Sequence, residues 1–153
     1  MNPKNILLVE DDPCDVEMTL AALGDAQRSD KIIVVNDGEE ALDYLYRRGI
    51  FAGRHGHNPA VVLLDNKMPK IKGLEVLKIM KADEKLKTVP VVVLTSSREI
   101  PDLLEFYNHG VNAYVVKPVN YDDFMRVVQH LGIFWEAVNE PPPSIEGQGA
   151  ASS

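Results

Sequence analysis

The stretch Ala60-Val61-Val62-Leu63-Leu64-Asp65-Asn66-Lys67-Met68-Pro69 decides the fold. An unbroken aliphatic run, without the alternation of a half-solvated strand, reads as a parallel strand buried on both faces. Asp65 closes that run, and a carboxylate at the end of a buried strand is costly unless something neutralises or uses it. Such an acid is a candidate site.

On either side of this stretch, other strand-like runs end in the same polar way. Ile6-Leu7-Leu8-Val9 runs into Glu10-Asp11-Asp12, Val91-Val92-Val93-Leu94 into Thr95-Ser96-Ser97, and Ala113-Tyr114-Val115-Val116 into Lys117-Pro118. In an open parallel sheet the carboxyl ends of the strands gather along one edge, where such sheets bind ligands. Acids, a hydroxyl and a lysine therefore converge there.

The intervening segments read as helices. Asp12-Pro13 opens a helix over 14–23 with Gly24 as its stop, and 31–35 forms a second strand. Asn36-Asp37-Gly38 makes a turn into a helix over 39–48, with Ala41, Leu42 and Leu45 on its inner face. Helices follow over 74–82 and 101–109, and the longest pattern runs from Tyr121 to about Val138 with Phe124, Val127, Val128, Leu131, Trp135 and Val138 three or four apart. Gly132 interrupts that last pattern at about 1 kcal/mol relative to alanine. Residues 49–59, with three glycines, form a connection long for a compact α/β unit and are expected to be a mobile surface loop.

Strands and helices thus alternate five times, which predicts a doubly wound five-stranded parallel sheet of flavodoxin-like order 2-1-3-4-5 with five helices. One domain is expected over residues 5–138. Residues 139–153, with Pro141-Pro142-Pro143 followed by Gly, Ala and Ser, lack the apolar content to fold and are expected to be a disordered tail.

Composition sets bounds. A chain of 153 residues with 45% hydrophobic content suits one core, and a formal charge of −7 argues against a nucleic-acid partner. The single Cys14 excludes an internal disulfide, and there is neither a signal-peptide pattern nor a run long enough to span a membrane. A cytoplasmic setting is expected.

In the predicted topology Glu10, Asp11 and Asp65 share the crevice between the first and third strands. Clustered carboxylates repel one another, and a hard divalent cation with oxygen ligands relieves this, so the cluster predicts Mg²⁺. Lys117 adds a point charge able to reach a carboxylate or phosphoryl oxygen, Pro118 can fix its backbone through a cis peptide, and Thr95 or Ser96 can donate a hydrogen bond. A carboxylate in such company can act as a nucleophile towards phosphorus, giving an aspartyl phosphate on Asp65.

Leu8-Val9-Glu10-Asp11-Asp12, Asp65-Asn66-Lys67-Met68-Pro69 with Gly73, Thr95-Ser96 and Lys117-Pro118 together resemble the receiver domain of two-component response regulators, over residues 5 to about 132. The strand order rests on that resemblance as much as on the pattern. The resemblance implies that Asp65 is the phosphoacceptor, Asp11 a direct metal ligand, Glu10 an acid holding the metal through water, and the backbone carbonyl of Lys67 a further ligand. It also makes Thr95 the switch hydroxyl, Lys117 the counter-ion and Tyr114 the aromatic that reports the switch. The loop around Arg54 to Pro59, Leu94-Thr95-Ser96-Ser97, Phe134-Trp135 and Asn139-Glu140-Pro141-Pro142-Pro143 resemble stand-alone regulators paired with bacterial and cyanobacterial phytochromes. That implies a phytochrome-type sensor histidine kinase as donor, and a homodimer using the fourth helix, the fifth strand and the carboxyl-terminal extension.

The resulting expectation is a single-domain response regulator, not a conventional enzyme, that takes its phosphoryl group from a phosphohistidine, loses it to water and signals by protein contact, to the kinase or a later relay component. Phe134 and Trp135 are candidates for the dimer interface, and Lys67 and Ser97 for tuning the phosphoryl lifetime. Plainer readings compete. Asp12 is read as a helix cap, Tyr114 equally well as a core aromatic, and His55-Gly56-His57 as a polar loop without a third metal ligand. A phosphorylation-independent dimeric adaptor is one rival function. A Mg²⁺-dependent small-molecule phosphohydrolase is the other, disfavoured because Lys67 stands where such enzymes place a second acid.

Overall fold

A computed structural model describes residues 5–23, 32–66, 68, 70–96, 100–118 and 120–134. Strands β1 (Ile6–Val9), β2 (Ile32–Val35), β3 (Val61–Leu64), β4 (Val91–Thr95) and β5 (Ala113–Val116) alternate with helices α1 (Pro13–Leu23), α2 (Gly38–Tyr46), α3 (Gly73–Ala82), α4 (Ile100–Asn108) and α5 (Tyr121–Ile133). The strands form one sheet of order β2-β1-β3-β4-β5, every pairing parallel. The topology is the predicted one.

Burial explains the order. β1, β3 and β4 are buried throughout, as unbroken aliphatic strands must be when helices cover both faces, whereas β2 and β5, with partly exposed residues, take the edges. Alternation along each strand divides the core in two. Leu7, Val9, Val62, Leu64 and Val93 meet Leu42, Leu45, Leu77, Met80 and Phe106 of α2, α3 and α4 on one face. Ile6, Leu8, Val61, Leu63 and Val92 meet Ala22, Leu23, Phe124 and Val128 of α1 and α5 on the other.

Side-chain caps set the helix starts. Asp12 Oδ1 accepts from the Cys14 N–H at 2.8 Å and the Asp15 N–H at 3.4 Å, which confirms its reading as a cap. Asp37 caps α2 through the Glu40 N–H at 2.8 Å, and Asn120 caps α5 through the Asp123 N–H at 3.2 Å.

Three expectations are corrected. The segment after α2 is not an open loop, because Gly49–Phe51 forms a turn of 3-10 helix and Phe51 packs edge-on against Tyr44 at 5.1 Å. The Arg54 guanidinium lies 4.1 Å from the Tyr44 ring centroid and bonds Tyr44 O and His57 O at 2.9 and 3.2 Å. Arg47, in the left-handed conformation at φ 57°, ends α2 and sends its own guanidinium to Arg54 O and Gly56 O at 2.6 and 2.5 Å. Two arginines thus satisfy carbonyls that a glycine-rich loop would otherwise leave to water. Gly132 does not interrupt α5, which runs through it to Ile133 with Gly132 buried. Finally, there is no cis peptide among the described residues, so the Lys117–Pro118 bond is trans. The expected tail, 139–153, lies outside the described residues.

Candidate functional site

The sheet ladders continue one residue past the strands and thereby place the site. The Glu10 N–H donates to Val35 O at 3.0 Å, the Asp65 N–H to Val9 O at 3.0 Å, and the Lys117 N–H to Thr95 O at 2.6 Å. Each site residue is held by a neighbouring strand. Two glycines allow the surrounding loops to close in: a Cβ at Gly73 would sit 2.5 Å from Asp65 O, and one at Gly38 would collide with the backbone oxygen of Ile71. The start of α3 and that of α2 therefore clamp the segment that follows Asp65.

Within this frame Glu10, Asp11 and Asp65 come together, each offering a carboxylate oxygen within 4.8 Å of the others. Glu10 and Asp65 are buried, at 3% and 9% exposure, while Asp11 is open to solvent. Glu10 is fixed at both oxygens: Oε2 accepts from the Asp12 N–H at 3.3 Å and Oε1 from Lys117 Nζ at 2.9 Å. Burial pushes its carboxyl up to about 7, and the Asp65 charge adds to this, while Lys117 and the Asp12 N–H act in the opposite sense.

Lys117 reaches in from the end of β5 and stands 3.8 Å from Asp65 Oδ1. Burial works against its ammonium, but hydrogen bonds to Asp15 and Glu10 and the Asp65 charge outweigh burial and hold its pKa above the ordinary lysine value. Thr95, fully buried at 1% exposure, closes β4 beside Lys117. Tyr114, on β5, is half-buried and packs against Phe106 with ring centroids 5.6 Å apart. Phe134 is exposed beyond α5. Lys67, Ser97 and Trp135 lie outside the described residues.

Asp15 is the contact that sequence reasoning missed. Its Oδ2 accepts from Lys117 Nζ at 2.8 Å, from the first turn of α1. No spacing in the sequence pointed to it, because Asp11 and Asp12 precede α1 and the meeting of Asp15 with Lys117 depends on how that helix is turned against the sheet.

Among the described residues, three carboxylates, from Glu10, Asp15 and Asp65, thus gather around the Lys117 ammonium, with Asp11 beside Glu10 and Asp65. The surplus of negative charge and the all-oxygen donor set fit a hard divalent cation, with Glu10, Asp11 and Asp65 as the residues able to hold it. His55 and His57 join no such group among the described residues.

Comparison with known proteins bears on the same residues. The Response_reg family, described as the response regulator receiver domain, matches residues 6–129. The probable methanogenesis regulatory protein FilR2 of Methanothrix harundinacea is 37% identical over 141 residues, covering 92% of this chain and 89% of the relative. The response regulator Rcp1 of Synechocystis sp. is 36% identical over 140 residues, covering 91% of this chain and 94% of the relative. The crystal structure of Rcp1 in its Mn²⁺-bound form superposes with a TM-score of 0.83 at 35% identity, over 92% of this chain and 100% of that one. The bacteriophytochrome response regulator AtBRR is 51% identical over 92% of this chain and 100% of its own, with a TM-score of 0.72. With the fold, the acidic pocket and these matches in agreement, the chain belongs to the response regulator receiver domain family.

Proposed function

We propose that this chain is a phosphorylation-controlled signalling protein whose Asp65 accepts a phosphoryl group from the phosphohistidine of a sensor histidine kinase. One observation carries the reading: Lys117 Nζ stands 3.8 Å from Asp65 Oδ1, beside a trio of carboxylates. That distance is beyond a hydrogen bond, so the ammonium stands close enough to Asp65 to meet an oxygen of a phosphoryl group bonded to it without itself being hydrogen-bonded to the attacking carboxylate. An Asp65 oxygen attacks phosphorus, the P–N bond breaks with its electron pair going to the donor imidazole, and that nitrogen takes a proton from solvent. Lys117 receives charge on an equatorial oxygen, and the Thr95 hydroxyl donates to another. Later a water molecule attacks phosphorus, the P–O bond to Asp65 breaks, and inorganic phosphate leaves with the carboxylate restored.

The divalent ion is proposed to be Mg²⁺, held by Asp11 and Asp65, by the Lys67 backbone carbonyl and by Glu10 through water. When bound it neutralises charge on the transferring phosphoryl group. Thr95 and Tyr114 then form the switch: drawing the hydroxyl towards the phosphoryl group frees room for the ring, and the face made by α4 and β5 changes its packing. Leu104, Tyr107, Ile133 and Phe134, all exposed, supply apolar area on α4 and α5 for a homodimer that would also use Trp135. Lys67 and Ser97 are proposed to tune the lifetime of the modification. No helix among the described residues is long and apolar enough to cross a membrane. The proposed setting is cytoplasmic, where a histidine kinase presents its phosphohistidine.

A phytochrome-type donor is proposed because Mn²⁺-binding Rcp1 and AtBRR combine high coverage with the same fold, and AtBRR is called a bacteriophytochrome response regulator. The test is labelling by acetyl phosphate with and without Mg²⁺, followed by transfer from a purified phytochrome-type kinase and from an unrelated histidine kinase. Mg²⁺-dependent label on Asp65 and faster transfer from the phytochrome-type kinase are expected. Label that survives Asp65→Asn overturns the phosphoacceptor, and equal transfer from both kinases overturns the choice of donor.

A further inference from the structure

The ammonium of Lys117 carries three N–H donors, and the structure shows where two of them go. Glu10 Oε1 lies at 2.9 Å and Asp15 Oδ2 at 2.8 Å, both charge-assisted hydrogen bonds, whereas Asp65 Oδ1 is 3.8 Å away. The lysine therefore leans towards α1 and away from the acid it would serve. Lys117 and Asp65 are both close to buried, with side chains 12% and 11% exposed, so little water is available to hold the ammonium off the acid.

Glu10 and Asp15 are not equivalent anchors. Glu10 is one of the three carboxylates placed to share a divalent ion, so its oxygens are in demand when that ion arrives. Asp15 stands outside the trio, at the pocket rim with its side chain 26% exposed, and is not among the carboxylates placed to meet that ion. The Asp12 cap fixes its position, since Asp12 Oδ1 accepts from the Asp15 N–H.

Resting on the reading of Asp65 as phosphoacceptor, we infer that Asp15 is a positioning residue: it holds Lys117 short of a direct hydrogen bond with Asp65, leaving one N–H to receive an oxygen of the phosphoryl group. Without Asp15 the ammonium has one firm anchor and closes onto Asp65. The N–H that would meet the phosphoryl group is then spent on the carboxylate oxygen that must attack phosphorus. Prepaid placement of this kind is where catalytic sites lose most when a support is removed.

The experiment uses the full chain as Asp15→Ala and Asp15→Asn, with acetyl phosphate as donor and Mg²⁺ affinity measured separately. The labelling rate at saturating Mg²⁺ is expected to fall about tenfold in Asp15→Ala, with Asp15→Asn in between because its amide oxygen still accepts from the ammonium without a charge. Mg²⁺ affinity is expected to change by about twofold at most, as Asp15 is not a ligand. A spectroscopic signature separates positioning from support of the fold: the side-chain ¹⁵N resonance of Lys117 in lysine-labelled protein is expected to shift in both variants, further in Asp15→Ala. Wild-type labelling rates in the two variants overturn the inference. So does an unmoved Lys117 resonance, whatever the labelling does. Failure of the wild-type chain to be labelled at all counts instead against Asp65 as acceptor, and the resonance still reads the position of Lys117.

Discussion

Two charged regions of this molecule teach opposite lessons. Around Arg54 the charges are cations whose donors are spent on backbone carbonyls: Arg47 bonds Arg54 O and Gly56 O, and Arg54 bonds Tyr44 O and His57 O while stacking on Tyr44. At the strand ends the charges are carboxylates that, among the described residues, outnumber their cation: Glu10, Asp15 and Asp65 surround Lys117, and Asp11 stands beside Glu10 and Asp65. The first region spends its charges on the backbone and braces a loop. The second carries more carboxylates than cations among the described residues, which fits a divalent cation. Surplus charge in a buried place marks a site, and matched charge marks scaffold.

The largest effects should come from removing members of the second region. Asp65→Asn is expected to abolish acetyl-phosphate labelling, read by phosphate-affinity electrophoresis, because the amide is not a nucleophile towards phosphorus. Lys117→Ala should slow labelling by about a hundredfold, the usual scale for deleting one donor that stabilises developing charge. Asp11→Asn should weaken Mg²⁺ binding at least about tenfold in calorimetric titration while the protein melted without Mg²⁺ unfolds at no lower temperature, since removing one of several repelling acids relieves their repulsion. A fall in melting temperature in that variant would mean that Asp11 is scaffold and that surplus charge does not mark function at this edge.

The same contrast governs what the chain discloses. Buried parallel strands announce themselves through runs such as Val61–Leu64 and Val91–Leu94, and a polar residue immediately after such a run has only one place to go in a parallel sheet. That logic brings Glu10, Asp65, Thr95 and Lys117 to one sheet edge from the pattern of residue types alone. It fails for Asp15, whose meeting with Lys117 depends on how α1 is turned against the sheet, and the apolar pattern of α1 is too irregular to give that turn. It fails for the brace as well. Arginine-to-carbonyl bonds follow from the path of a loop, and a segment with three glycines gives no period from which to derive a path. The trans Lys117–Pro118 bond is a third miss, because proline permits either isomer and tertiary context chooses.

Substitutions in the first region should change stability and leave chemistry alone. Arg54→Ala removes a cation stacked on Tyr44 and bonds to two carbonyls, and is expected to destabilise the fold by about 2 kcal/mol, lowering the melting temperature by roughly 4–8 °C. Labelling of Asp65 should proceed at the wild-type rate. Asp12→Ala tests the boundary between the two regions, since Asp12 sits in the acidic run but spends its carboxylate on the start of α1. The expected cost is about 1 kcal/mol in chemical denaturation with unchanged Mg²⁺ affinity, because its backbone N–H, which holds Glu10, survives the change.

The smallest effect concerns a matched pair on the outer surface, where Tyr46 donates its hydroxyl to Asp83 Oδ2 at 2.7 Å. Partial burial, then the hydrogen bond and the charge of Asp83, push the Tyr46 phenol from 10.0 up to about 12, and the same hydrogen bond, aided by the Lys85 N–H, lowers the Asp83 carboxyl below its ordinary value. The two signs define two pH windows. A raised phenol favours the protonated folded state, so its contribution is complete below pH 10.0 and disappears as pH rises towards about 12. A lowered carboxyl favours the ionised folded state, so its contribution is complete above the ordinary value of 3.8 and is lost as pH falls through the lower folded value. Tyr46→Phe should therefore flatten the decline in stability on the alkaline side and make the decline below the ordinary Asp value shallower, with little change near neutrality because the pair is solvent-screened. Denaturation midpoints measured across both windows decide it: an alkaline limb as steep in the variant as in the parent would show that Tyr46 is not held by Asp83. Matched charge would then be no better a guide to scaffold on this face than surplus charge is to function at the strand ends.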